Sequence, residues 1–237
     1  MRPQCRARCE HRAETGCAVE AYISIAAEVE AEFTEKKSRF IGRIKPVISE
    51  AEAKTFIESR RAVHREANHH VYAFIIGAKN EIQRSNDDGE PAGTAGRPVL
   101  EALKQAGLVN VALVVTRYFG GTLLGTGGLA RAYGRAATLA IAQARPVRCV
   151  IAQLVALHFS YDLLGRVEGL LETHGGQIRN KSYAEAVCYL SAIPVERLEA
   201  LQQKLTKASN GTLRFQDLQE QLYIYEEYTN AGFARKC

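Results

Sequence analysis

The sequence predicts an α+β protein in two parts: a sheet carrying helices, then a smaller ferredoxin-like βαββαβ sandwich. Three observations predict it. Val111–Ala144 reads as an apolar strand, a glycine loop and a helix. Strand-type and helix-type runs alternate before it in the order β-β-α-β-loop-α. After Arg145-Pro146, where proline cannot continue the helix, the runs fall in the order β-α-β-β-α-β. The expected divisions are a disordered extension over 1–20, a first domain over 21–146 and a second over 147–230.

Composition bounds the function. The 237 residues carry a net charge of +5, which permits an RNA partner without demanding one. No apolar run reaches the length of a membrane span, and the N-terminus lacks the apolar core of a signal peptide. The six cysteines (Cys5, Cys9, Cys17, Cys149, Cys188, Cys237) are scattered as reduced thiols would be, so a cytoplasmic protein is expected. Cys5, Cys9, His11 and Cys17 match no standard zinc spacing, and no metal or cofactor is expected.

Taken in order, residues 22–48 read as two strands. One runs to about Glu35, and the other spans Ser38–Val47. Ser49 is a good N-cap, with Glu52 completing a capping box, and the helix ending near His64 buries Ala53, Phe56 and Ile57. Val71–Gly77 is a strand. His69 and His70 at its start must face opposite sides, so one could line a site while the other is a satisfied core histidine. Glu81–Pro98 reads as a long polar loop, and Pro98 opens a helix to Ala106.

Val111, Leu113, Val114 and Val115 are mostly β-favouring, as in a strand buried on both faces. Gly120, Gly121, Gly125, Gly127 and Gly128 follow. From Leu129 the apolar positions Ala132, Tyr133, Ala136, Ala137, Ala140 and Ile141 keep helical spacing. A glycine loop opening a helix can bring backbone N–H groups close to an anion. Arg131 and Arg135 lie early in that helix, where cations oppose its dipole; a bound anion or a nearby carboxylate would remove the penalty. The spacing is neither a P-loop nor a dinucleotide fingerprint.

In the second part, Val150–Phe159 is a strand and Tyr161–Thr173 a helix stopped by Gly175-Gly176. Gln177–Asn180 and Ala184–Ile193 are strands, Pro194 begins a helix, and the last strand covers Leu213–Phe215 and the region through Tyr225. His158 and His174 are isolated and read as structural.

Four blocks carry a resemblance. Arg117-Tyr-Phe-Gly-Gly-Thr-Leu-Leu-Gly-Thr-Gly-Gly-Leu-Ala-Arg-Ala-Tyr-Gly134 resembles the defining motif of the YigZ/IMPACT family. Ser85-Asn-Asp-Asp-Gly-Glu-Pro-Ala-Gly-Thr-Ala-Gly-Arg-Pro98, Lys36-Lys-Ser-Arg-Phe-Ile-Gly42 and Asn68-His-His-Val-Tyr-Ala73 agree with it, in the right order. The resemblance covers about residues 28–225 and implies a two-domain cytoplasmic protein of the bacterial type. Its first domain would have the ribosomal-protein-S5-domain-2-like fold, and its second would resemble the ferredoxin-like C-terminal domain of elongation factor G. The eukaryotic relatives act in translational control through an extra N-terminal domain, which the short tail here does not match.

Two functional classes are open. One is a binding module of the translation system that recognises RNA or ribosomal phosphate, or a translation factor. It would use Gly93, Thr94, Gly96, Arg97, Arg117, Gly120, Gly121, Gly125, Thr126, Gly127, Gly128, Arg131 and Arg135. The other is an enzyme acting on a phosphorylated small molecule, with Asp87, Asp88 and Glu90 as candidate acid/base or metal-holding carboxylates. The favoured reading of those three carboxylates is structural: they cap turns and neutralise Arg97, Arg117 or Arg131. No nucleophile–base pair is visible, which favours binding. The oligomeric state is not legible.

Overall fold

The computed structural model describes residues 21–227. These divide into two compact units, Tyr22–Arg148 and Cys149–Glu226. The chain is α+β, with two five-stranded sheets.

The first unit opens with β1 (Ala21–Ile25), β2 (Val29–Glu35) and β3 (Ser38–Pro46). Residues expected to form one strand to Glu35 form two, because a bend at Ala26–Ala27 interrupts the extended run. Then follow α1 (Glu50–Val63), β4 (His69–Ile76), β5 (Ile82–Asn86), α2 (Gly96–Ala106), β6 (Val111–Tyr118) and α3 (Thr126–Gln143). The sheet order is β2-β3-β6-β4-β5, with each of these neighbours antiparallel. β5 corrects the expectation of a loop. It is a polar edge strand held by its backbone ladder to β4, so it shows little apolar alternation.

The central strand β6 is buried from Val111 to Arg117. Its Ala112 and Val114 pack with Ala53, Phe56 and Ile57 of α1. α1 starts as a capping box: Ser49 accepts from the Glu52 N–H (3.2 Å), and Glu52 accepts from the Ile48 N–H (3.0 Å). On the opposite face α3 crosses β3 so closely that a side chain at Gly42 would collide with the Ala136 carbonyl. α3 begins at Thr126, three residues before the expected Leu129, so Gly127 and Gly128 belong to its first turn.

The second unit holds most of β7 (Pro146–Phe159), then α4 (Leu164–Thr173), β8 (Gln177–Tyr183), β9 (Val187–Pro194), α5 (Val195–Ala208) and β10 (Arg214–Glu227). β8, β9 and β7 are neighbours in that order, and β10 pairs with β7. The order β8-β9-β7-β10 is the ferredoxin-like arrangement. Val167 and Leu171 of α4 and Leu201 and Leu205 of α5 share one core with Val155, Leu157, Val187 and Tyr189. Among the described residues, no helix is long and apolar enough to cross a membrane.

Candidate functional site

Two motif blocks meet in the first unit at a cleft of about 440 Å³. It is lined by Asn68, His69, Glu90, Pro91, Arg117, Phe119, Leu123, Leu124, Gly125, Thr126 and Leu129. Strand register explains the placement of His69 and Arg117. His69 pairs with Arg117 and Phe40 pairs with Arg117 across the adjoining ladders, so all three side chains share one face. His70, on the other face, is buried and lies 3.2 Å from the Thr116 hydroxyl. Burial pushes the His70 imidazole below its ordinary value, against the pull of the Asp88 carboxylate.

Glu90 sits at the floor of the cleft. Its Oε1 accepts from Arg117 Nη1 at 2.5 Å and from the Tyr133 hydroxyl at 2.7 Å, while His69 Nε2 lies 3.8 Å away. The side chains of Glu90 and Arg117 are each 5% exposed. Burial, then the Glu90 carboxylate, push the Tyr133 phenol far above its ordinary range, so it remains a donor. The Arg117 guanidinium lies over the rings of Phe40 (5.5 Å) and Phe119 (5.4 Å), and its Nε has no hydrogen-bond partner. Beyond β6 the chain is tied down at two points. The Phe119 N–H donates to Asn68 (2.8 Å), and the Gly120 N–H donates to the Ser38 hydroxyl (3.1 Å).

The candidate carboxylates divide sharply. Asp87 accepts from the N–H groups of Gly93 (2.9 Å), Ala95 (3.0 Å) and Gly96 (2.8 Å), so it organises the loop before α2. Burial raises its pKa, but those three donors outweigh burial and hold it below the usual aspartate value. Asp88 accepts from Arg61 (2.6 Å) and from the His70 N–H (2.6 Å). Only Glu90 of the three faces the cleft.

The glycine-loop residues also separate. Arg117, Gly125 and Thr126 line the cleft. Gly93, Thr94, Gly96 and Arg97 do not; the first loop folds over Asp87, Thr94 donates to the Pro91 carbonyl, and Arg97 is exposed. Gly120, Gly121, Gly127 and Gly128 flank it without lining it. α3 has a glycine N-cap, no side-chain cap and no acidic residue in its first turn, so its positive end is uncompensated from within the helix. Arg131 is exposed and its guanidinium runs back alongside Gly127. Arg135 is also exposed, sits over the Phe33 ring (4.6 Å) and reaches Glu35 at 3.5 Å.

Sequence reasoning missed Asn68, Pro91, Phe119, Leu123, Leu124 and Leu129 as lining residues, and Tyr133 as a partner of Glu90. Strand alternation flagged His69 and His70 without choosing between them. The Cys5, Cys9, His11 and Cys17 set lies outside the described residues. Among those described, no His/Cys/Asp/Glu group could hold a metal ion.

Comparison with known proteins covers both units. Residues 36–141 match the Impact N-terminal domain, and residues 157–212 match a domain of unknown function, DUF1949. The chain is 38% identical to IMPACT family member YigZ of Escherichia coli over 204 residues, covering 85% of this chain and 100% of that one. It is 36% identical to IMPACT family member YvyE of Bacillus subtilis, covering 81% and 88%. Protein IMPACT of Oryctolagus cuniculus matches over a shorter stretch, 32% identical across 39% of this chain and 30% of that one. A solved structure described as that of an hypothetical protein is similar at a TM-score of 0.57 and 37% identity, covering 85% of this chain and 99% of that chain. With both units matched and most of its length aligned to such relatives, the chain belongs to the IMPACT family.

Proposed function

We propose that this chain is a translation-associated binding protein of the cytoplasm that recognises RNA or ribosomal phosphate through the cleft of its first unit. One observation carries the reading: the acidic residue in the cleft is neutralised from inside by Arg117, while the start of α3, whose Gly125 and Thr126 line the cleft, has no acidic residue in its first turn and has the exposed Arg131 alongside Gly127. A net charge of +5 favours approach of a polyanion. The competing reading, an enzyme acting on a phosphorylated small molecule, needs available carboxylates. Asp87 and Asp88 are committed to backbone and Arg61, which supports binding over catalysis.

The test is anisotropy titration of a labelled RNA oligonucleotide, and sedimentation with ribosomes, across a salt series. Affinity is expected to fall steeply with salt, and Arg131→Ala to reduce the log–log slope by about one unit. Absence of binding to both partners at low salt would sink the reading.

A further inference from the structure

The cleft is more than an electrostatic surface, and its remaining features point to part of the ligand that is not phosphate. Phe119 is 43% exposed and Leu123 is 82% exposed, and both line the cleft beside Pro91 and Leu124. Phe119 is also held in place. Its backbone is anchored to Asn68, and the Arg117 guanidinium lies over its ring at 5.4 Å. That guanidinium in turn is fixed by Glu90 and lies over Phe40. An aromatic ring backed in this way is a rigid platform that loses little entropy when a flat partner lands on it. Glu90 adds a directional feature. Both of its hydrogen bonds fall on Oε1, and Oε2 receives none among the described residues, leaving an acceptor in a lining residue.

Resting on the binding function proposed above, we infer that the cleft takes a single unpaired nucleotide of an RNA strand. Its base stacks on Phe119 and presents an N–H edge to Glu90, with the adjoining phosphate toward Gly125, Thr126 and Arg131. Apolar platform, acceptor and positive end within one cleft of about 440 Å³ match base, edge and phosphate in turn. A duplex cannot use this arrangement, because its bases are stacked on one another and their pairing edges are occupied.

Three labelled probes with the same number of phosphates separate the contributions: a single-stranded RNA, the same strand with abasic positions, and a blunt duplex of half the length, whose two strands together match the charge of the single strand. The intact strand is expected to bind about tenfold or more tightly than the abasic strand or the duplex, as stacking of one base would give. Phe119→Ala should remove that preference, bringing the intact strand to the affinity of the other two probes, while Phe119→Tyr should keep it. Equal affinity for intact and abasic strands, or a loss in Phe119→Ala that is the same on all three probes, overturns the inference. If abasic and intact strands bind equally but Arg131→Ala weakens both, the stacked nucleotide falls and the phosphate-binding function stands. If no probe binds at low salt, both fall. Displacement of the strand by a free nucleoside monophosphate at equal molar concentration overturns the assignment to RNA, placing the recognised base on a small molecule.

Discussion

Arg117 and Glu90 form a buried ion pair, Nη1 to Oε1 at 2.5 Å, between the end of β6 and the loop after β5. The pair joins the two motif blocks, and a third member, Tyr133 of α3, donates to the same oxygen. Removing either charge strands the other in a poorly hydrated place. Arg117→Ala is expected to cost about 3–5 kcal/mol. Tyr133→Phe, which deletes one donor to a charged acceptor, should cost about 1.5–3 kcal/mol. Urea denaturation curves of both variants check the order. A cost below about 1 kcal/mol for Arg117→Ala would mean that water reaches the pair.

Asp87 gives an acid-side prediction. Its carboxyl lies below the ordinary aspartate value in the fold, so its contribution is fully present above about pH 4 and is lost as the pH falls through the lower, folded value. The Asp87→Asn variant should lack this loss, since its amide does not titrate there. Urea midpoints measured from neutral pH down to strong acid for the two proteins should converge at the acid end; parallel curves would contradict the claim.

His70 acts at higher pH with the same sign. Burial holds the imidazole neutral, so the folded protein takes up a proton less readily than the unfolded chain. The stability this group contributes is present above about pH 6.5 and drains away as the pH falls from there toward the folded value. Replacing His70 with Gln should flatten the stability profile on the acid side of about pH 6.5, whatever it does to the absolute stability. An unchanged slope in His70→Gln would assign the dependence to another group.

Two glycines beside the cleft should respond differently to alanine. At Gly120 a Cβ would stand 2.0 Å from the Lys37 backbone carbon, a collision that only movement of the β2–β3 hairpin can relieve. At Gly125 space is open and the obstacle is its backbone at φ 72° and ψ 164°, a region essentially restricted to glycine, with a strain of about 1–3 kcal/mol for a residue with a side chain. Thermal melts should therefore show a much larger drop for Gly120→Ala than for Gly125→Ala. Equal drops would mean that the hairpin yields.

Some of this was written locally. The capping box at Ser49 and Glu52 lies within four residues, and the apolar run of β6 announces a strand buried on both faces. The helical spacing of Leu129 to Ile141 marks the face of α3 that becomes buried. The four motif blocks carry the family resemblance in the sequence itself.

Other features depended on neighbours far along the chain. β5 shows little apolar alternation because it is an edge, and only its pairing with β4 makes it a strand. Strand periodicity put His69 and His70 on opposite faces, but choosing between them required the register that sets His69 opposite Arg117. Asp87, Asp88 and Glu90 are nearly adjacent, yet one holds a loop, one holds Arg61 and one enters the cleft. The physical reason is range. Caps and periodicity are settled by residues within a turn or two, whereas the partner of a buried carboxylate is 27 or 43 residues away and is set only when the sheet and α3 pack.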